Sequence, residues 1–219
     1  MARDENDPLS PQDYLRILVK SGSNIPIVAF RALYYKLRGK KIRAHQKVTI
    51  KGLDNITTKD YLDIGLQYVG FMMPSDRTFV NVQGKLEVND YFSLGRGCRL
   101  DVGKSGKLIL HGGRITANTT IIAMHHVEIG RNCSISWGVE FLDSDFHELH
   151  YEGRVDRDPS IVIGDHAWIG CHVKILKGTR IGNNCVIAAN TVLNKPIEGD
   201  NLLIGGNPAR VLRENISWR

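Results

Sequence analysis

Aliphatic residues recur at every sixth position near the C-terminus of this chain. An amphipathic helix would repeat apolar residues every three or four positions, and a half-buried strand would repeat them every two. A sustained period of six is typical of a parallel β-helix, in which three short sides make one triangular coil. One branched side chain from each side would then point into the shaft of the prism. The positions are Ile163, Ile169, Ile175, Ile181, Ile187 and Leu193.

The same spacing extends upstream with interruptions. The upstream series are Val82, Val88, Leu94 and Leu100; Ile109, Ile115, Ile121 and Val127; Ile129, Ile135 and Phe141 after a shift of two residues; and a weaker trace at Ile50, Ile56 and Leu62. We therefore expect a mainly β protein with one β-helix domain at 46–206 and a C-terminal tail at 207–219. The longest interruption, between Phe141 and Ile163, predicts an extended loop at 142–160.

Three cysteines occupy one phase of this repeat. Cys98, Cys133 and Cys185 each follow an aliphatic residue of the series by four positions. A thiol at such a position suits a small core filler that faces the shaft. Neither a Cys-x-x-Cys pair nor a Cys/His ligand spacing is present, so we expect no metal site.

Residues 1–45 lack the six-residue pattern and contain two segments of helical character, at 7–20 and 25–43. Seven basic residues without an intervening acid fall here: Lys20, Arg31, Lys36, Arg38, Lys40, Lys41 and Arg43. One interpretation is a basic amphipathic element that contacts an anionic membrane surface. The other is a cap over the open end of the coil, which such repeats require. The sequence leaves both open.

Charge and composition narrow the classes of partner. The net charge is +6 and the isoelectric point is near 9.2, which indicates acidic partners or ligands. Aromatic residues make up 7% of the chain and no nucleic-acid-binding motif is present, so we expect no nucleic acid partner. Since no signal peptide is recognisable, we expect a cytoplasmic protein, at the inner face of the membrane if the N-terminal segment is an anchor.

The predicted loop carries the residues best suited to chemistry, within the stretch DSDFHELHYEG at 143–153. His147 is the candidate general base, because imidazole titrates near neutral pH and can take a proton from a hydroxyl or an amine. Such a base needs an acceptor that orients its other ring nitrogen. Asp145 and Asp143 are the nearest candidates in the sequence. His150 is the alternative base.

From about residue 80 to 213 the chain resembles the hexapeptide-repeat acyltransferases, and is most similar to the maltose, galactoside and capsular-polysaccharide O-acetyltransferase branch. The resemblance depends on a loop histidine followed by IGDHAWIG, AANTV and GNPAR. It implies a single-stranded left-handed parallel β-helix, whereas the spacing alone predicts a coil of unspecified hand. It also implies a homotrimer with each active site between neighbouring prisms, and acetyl-CoA as the co-substrate along the groove.

The resemblance implies roles for individual residues. His147 matches the histidine that deprotonates the acceptor hydroxyl before direct attack on the thioester. Cys171 matches a position whose amide donates to the thioester oxygen, where relatives often have serine. Ala189 matches backbone that binds the pantetheine arm. The positions that match the far end of CoA, where cations suit phosphates, are Asn194, Lys195, Arg210 and Arg213.

Two further residues relate to the acceptor. Asn118 resembles a polar position that contacts the acceptor sugar. Trp168 either lines the acceptor or CoA groove or packs at a coil corner.

The sequence therefore favours an acetyl-CoA-dependent O-acetyltransferase that acts on a sugar or glycan, such as a cell-surface polysaccharide or its precursor. An N-acetyltransferase that acts on an amino sugar of a nucleotide- or lipid-linked precursor would use the same base. A non-catalytic solenoid scaffold is the alternative of another class, and it would need neither the loop histidine nor the basic CoA end.

Overall fold

The computed structural model describes residues 11–67, 69–148, 150–153, 155 and 157–219. Its strands, numbered β1 to β22 in chain order, lie in three sheets that form the sides of a triangular prism. Side A contains β1 Ile42–Ala44, β4 Leu62–Ile64, β7 Phe92–Arg96, β10 Gly113–Ala117, β13 Cys133–Ile135, β16 Trp168–Ile169, β19 Val186–Ile187, β21 Leu203–Gly205 and β22 Arg210–Arg213. Side B contains β2 Val48–Lys51, β5 Thr78–Val82, β8 Arg99–Val102, β11 Thr120–Ala123, β14 Glu140–Leu142, β17 Lys174–Leu176 and β20 Val192–Leu193. Side C contains β3 Ile56–Thr58, β6 Lys85–Val88, β9 Lys107–Leu110, β12 His126–Ile129, β15 Ile161–Ile163 and β18 Arg180–Ile181.

Parallel pairing stacks equivalent residues of successive coils into columns. The inward column of side A has at most 1% of any member's surface exposed. It consists of Ile64, Leu94, Ile115, Ile135, Ile169, Ile187 and Ile204. Burial of this branched aliphatic surface is the main source of stability in the coil. The predicted parallel β-helix is confirmed.

The shift of two residues in the sequence pattern does not interrupt the coil. Val127 and Ile129 both lie in β12 and both point into the shaft, with Glu128 between them on the outer face. The prediction that Ile109 faces the shaft is wrong, because Ile109 is paired with Glu128. A single side can supply two inward residues separated by one outward residue, and a search for one aliphatic residue in six detects only one of them.

Glycines at the corner between sides C and A let the main chains of successive coils touch. A Cβ on Gly164 would lie 2.7 Å from the carbonyl carbon of Gly182. A Cβ on Gly182 would lie 2.3 Å from the carbonyl oxygen of Gly199. These glycines are therefore required for close approach of the coils rather than for an unusual φ.

The cysteines in the repeat phase are core fillers, as expected. Cys98, Cys133 and Cys185 are at most 1% exposed. Burial raises the pKa of the Cys98 thiol to about 12 and that of Cys133 to about 11. Both thiols are therefore protonated and unreactive at neutral pH.

Strands extend beyond both ends of the coil that the sequence pattern indicates. The coil begins at Ile42 rather than at residue 46, because Ile42 and Ala44 already fill the shaft. At the other end, β22 pairs antiparallel with β21. Part of the predicted tail is thus a hairpin at the edge of side A.

Two helices, α1 Pro11–Lys20 and α2 Ile25–Leu37, precede the coil. The side chain of Asn24 caps α2 by accepting from the Ile27 amide at 3.2 Å. Val28 and Tyr35 of α2 are buried, and Tyr35 is part of the same core as the first coil. The second helix therefore covers the open end of the prism. Among the described residues, no helix is both long enough and apolar enough to cross a bilayer.

The inward columns generate a first prediction. Ile163→Ala should lower the free energy of unfolding by about 2–5 kcal/mol, because the shaft cannot collapse around the lost side chain. Val162→Ala removes the neighbouring outward side chain of β15 and should cost about 1 kcal/mol or less. Denaturant titration of both variants measures the difference. Equal losses would contradict the assignment of inward and outward faces.

Buried His45 generates a second prediction. His45 is 1% exposed and accepts from the Lys47 amide through Nδ1 at 3.1 Å. Burial, with a smaller effect of the positive Arg96, lowers its pKa from 6.5 to about 4. The unfolded chain then binds a proton that the folded chain does not, so stability should fall as pH is lowered from about 6.5 to about 4. His45→Gln should reduce this slope in denaturant titrations across that range, and an unchanged slope would contradict the assignment.

Candidate active site

His147 lies in the loop that leaves side B after β14, at the corner between sides B and C. Its ring is exposed, and Nδ1 lies 3.2 Å from the main-chain oxygen of Asp145. Because a carbonyl oxygen can only accept, this contact requires the ring proton on Nδ1. The neutral imidazole then has its lone pair on Nε2. That is the tautomer that a general base requires.

The carboxylates proposed to orient His147 have other partners. Asp143 is fully buried and accepts the amides of Met124 at 2.7 Å and His125 at 2.8 Å, one on each oxygen. It therefore ties the start of the loop to the coil below. The carboxylate of Asp145 pairs with Lys177. The main-chain oxygen of Asp145, rather than either side chain, is the group next to the imidazole.

A cleft of about 890 Å³ lies at the B–C corner beside His147. Its lining includes four of the predicted site residues, His147, Asp145, Asn194 and Lys195. Basic side chains outnumber acidic ones among the described residues that line it: Arg157, Lys177, Arg180 and Lys195 against Asp145 and Asp158. Such a surface attracts anionic groups such as phosphates.

Asp158 fixes the far end of the loop. Its carboxylate accepts from the Ser160 hydroxyl at 2.6 Å, from the Ser160 amide at 3.0 Å and from Arg180 at 2.6 Å. The Ser160 side-chain and backbone bonds, together with the Arg180 contact, lower the pKa of Asp158 to about 2. The carboxylate is therefore charged throughout the physiological range and keeps the loop attached to β18.

Sequence reasoning missed three basic residues of the cleft. Lys177 stands 18 positions before Lys195, which is three sides of six, and so lies at the same corner one coil earlier. The period could have identified it. Arg180 follows Lys177 by three residues and is the first residue of β18. Arg157 lies inside the loop, where no repeat predicts its place.

A second group of predicted residues lies at the corner between sides A and B. Cys171 is partly exposed and Ala189 is exposed. The Asn190 amide donates to the Cys171 oxygen at 3.0 Å, so these turns stack one coil apart. A Cβ on Gly170 would lie 2.7 Å from the Ala189 nitrogen, so only glycine allows this approach. Asn118 occupies the same corner two coils before Cys171, is exposed and has φ of 50°.

Trp168 lies on the outer face of side A rather than at a corner, and 43% of its surface is exposed. The centroid of its ring is 6.0 Å from that of Trp218. Trp218 stacks on His166 at 4.1 Å and donates to the His166 carbonyl at 3.0 Å. Trp218 belongs to the non-repeating C-terminal segment, so the sequence offered no signal for its position.

The remaining predicted residues, Arg210 and Arg213, are exposed on β22 at the C-terminal edge of side A. They do not line the cleft beside His147.

Within one chain the predicted site is therefore split between two corners. The B–C corner carries His147, Asn194 and Lys195, whereas the A–B corner carries Asn118, Cys171 and Ala189. The width of side B, at about 3.3 Å per residue, separates the corners by roughly 15–20 Å. A hydrogen bond or a reacting pair of atoms cannot span that distance.

Comparison with known proteins places these features in a family. The model described as "Bacterial transferase hexapeptide (six repeats)" matches residues 160–195. An uncharacterized 24.8 kDa protein in the cps region of Klebsiella pneumoniae is 36% identical over 195 residues, which is 88% of each chain. The galactoside O-acetyltransferase of Escherichia coli K12 is 39% identical over 100 residues, 44% of this chain and 48% of that protein. The polysialic acid O-acetyltransferase of Neisseria meningitidis is 35% identical over 129 residues, 58% of this chain and 57% of that protein.

The family match falls on the most regular coils, and the similarity to the Klebsiella protein extends over nearly the whole chain. The chain thus belongs to the hexapeptide-repeat acyltransferases, and it is an acetyltransferase of their O-acetyltransferase branch.

Proposed function

We propose that this chain transfers an acetyl group from acetyl-CoA to a hydroxyl of a sugar or glycan, such as a cell-surface polysaccharide or its precursor. The observation that carries the proposal is the contact between His147 Nδ1 and the Asp145 carbonyl, which leaves Nε2 to accept a proton beside a basic cleft. The acceptor class is supported by the relatives whose names specify galactosides and polysialic acid, both rich in hydroxyl groups.

His147 acts as the general base in this proposal. Its Nε2 takes the proton of the acceptor hydroxyl while that oxygen forms a bond to the thioester carbonyl carbon. When the carbon–sulfur bond breaks, the imidazolium returns the proton to the departing sulfur, so the products are an acetyl ester and CoA thiol. The Asp145 carbonyl holds the ring through Nδ1–H in both protonation states. Assistance of this kind typically contributes about 10²–10⁴-fold to the rate.

The residues present suit acetyl-CoA. Lys195 and Asn194 at the B–C corner offer a cation and an amide to phosphate oxygens. At the A–B corner, the exposed turns at Cys171 and Ala189 offer main-chain groups to the pantetheine amides and to the thioester oxygen. The thiol of Cys171 is a poorer donor than the serine hydroxyl common in relatives, so the amide is the group that we assign to the oxygen.

The separation of the two corners supports a homotrimer. Two prisms side by side can place the B–C corner of one against the A–B corner of its neighbour, which no motion within one rigid coil can do. A closed ring of three gives three such junctions. Each active site would then contain His147 from one subunit and Cys171 from the next.

An acceptor screen tests the proposed reaction. Thiol release from acetyl-CoA should rise with free sugars, lipid-linked glycans or nucleotide sugars that carry an accessible hydroxyl. Hydroxylamine should remove the acetyl group from an ester product, whereas an amide formed on an amino sugar would survive. Thiol release that no acceptor increases would contradict the proposal, and a resistant product would favour N-acetylation.

Removal of the base gives a third prediction. His147→Ala should lower kcat by at least about 100-fold and leave the affinity for acetyl-CoA nearly unchanged, since only proton transfer is lost. His150→Ala is the matched control, because His150 lies in the same loop and pairs with Glu148 at 3.6 Å. Steady-state kinetics of both variants measure kcat and the KM for acetyl-CoA separately. A kcat of the His147→Ala variant near that of the wild type would contradict the assignment of His147 as the general base.

Removal of a cleft cation gives a fourth prediction. Lys195→Gln should raise KM for acetyl-CoA about threefold to tenfold with little change in kcat, because a partly solvated contact to phosphate contributes about 1 kcal/mol. Lys104→Gln removes an exposed lysine outside the cleft and should change neither constant. Equal effects of the two substitutions would show that net charge, rather than a contact, is responsible.

A further inference from the structure

The second helix exposes an apolar stripe on the face turned away from the prism. Phe30, Leu33 and Leu37 have 72%, 55% and 78% of their surface exposed. Together with exposed Pro26 they lie at positions i, i+4, i+7 and i+11, so they share one side of α2. A helix that is apolar all round is normally covered on every side. The described part of the chain covers only the side that carries Val28 and Tyr35.

The segment that contains this stripe is rich in basic residues. Residues 11–51 contain ten basic side chains and a single acid, Asp13. Eight of these basic side chains have partners within the fold. For example, Arg31 donates to the Val48 carbonyl at 2.9 Å, Arg38 pairs with Asp54 at 3.0 Å, and Arg43 donates to both oxygens of Asp63 at 2.5 and 2.9 Å. Lys20, at the end of α1, and Lys36, in the last turn of α2, are exposed. Exposed aliphatic and aromatic side chains with an exposed lysine on the same helix and another at the end of α1 suit an anionic lipid surface.

The size of the stripe argues against a second protein chain. Its four residues are far fewer than the roughly 20–30 residues that each partner contributes to a stable interface. Pairing with a second copy would also place like-charged lysines near each other. A membrane needs no minimum complementary surface, because apolar insertion and attraction to lipid phosphates add to each other.

We propose that the outer face of α2 lies in the headgroup region of an anionic membrane, with Phe30, Leu33 and Leu37 inserted and Lys20 and Lys36 against lipid phosphates. The contact goes beyond acetyl transfer and does not depend on it. The helix thus has two roles: its inner face caps the coil, and its outer face attaches the protein to the surface.

Co-sedimentation of the full chain with vesicles tests the contact. The protein should sediment with vesicles of phosphatidylcholine mixed with phosphatidylglycerol much more than with phosphatidylcholine alone, and high salt should reduce the difference. Equal sedimentation with both vesicle types, or none with either, would overturn the proposal.

Two pairs of variants separate insertion from charge. The double substitution Leu33→Gln and Leu37→Gln should weaken vesicle binding about tenfold or more, whereas Met73→Gln, at a site 64% exposed elsewhere, should not. Lys20→Gln with Lys36→Gln should also weaken it about tenfold, whereas Lys85→Gln with Lys104→Gln should have little effect.

Two controls distinguish a loss of vesicle binding from misfolding and from a loss of catalytic activity. All the substituted residues are exposed, so circular dichroism and acetyl transfer to a soluble acceptor should match the wild type. Wild-type vesicle binding by the Leu33→Gln, Leu37→Gln variant would overturn the proposal. A lower oligomer mass in light scattering for that variant, with vesicle binding unchanged, would assign the stripe to a second copy instead.

Discussion

Columns of inward-facing aliphatic side chains are the constraint on which the rest of the structure depends. Each residue of the side A column from Ile64 to Ile204 packs on its equivalents in the coils above and below. Because that stacking fixes the register of every coil, it also fixes where each corner of the prism lies. The exposed side chains at the corners, such as that of Asn118, take no part in the columns, so they are available for chemistry.

Because the inward columns fix the positions of the corners, the candidate site is split between two of them. His147 reaches the B–C corner on a loop whose ends are fixed by Asp143 and Asp158, while Cys171 and Ala189 stay on the A–B corner. A prism this rigid cannot bend to join its own corners. Because the chain is an acetyltransferase, the alternative of a non-catalytic scaffold, which the sequence had left open, is excluded. In the proposed trimer, a neighbouring subunit completes the site.

The sequence predicted the features that follow the six-residue period, but it did not predict the contacts made by irregular segments. The six-residue period predicted the coil, the buried cysteines and the site of the loop, because each of these depends on one residue per side. It misplaced Ile109, because one side can hold two inward residues. It could not foresee that the carbonyl of Asp145 would face His147, or that Trp218 would stack on His166, because both contacts come from irregular backbone.

Mixed trimers test most directly whether two subunits build each site. His147→Ala removes the base from the B–C corner, and Ala189→Trp would fill the A–B corner at an exposed position. Each variant alone should be nearly inactive. Trimers formed from an equal mixture should recover about a quarter of wild-type activity, since each intact corner occurs in half of the subunits. No recovery in mixed trimers verified by mass would contradict a site shared between subunits.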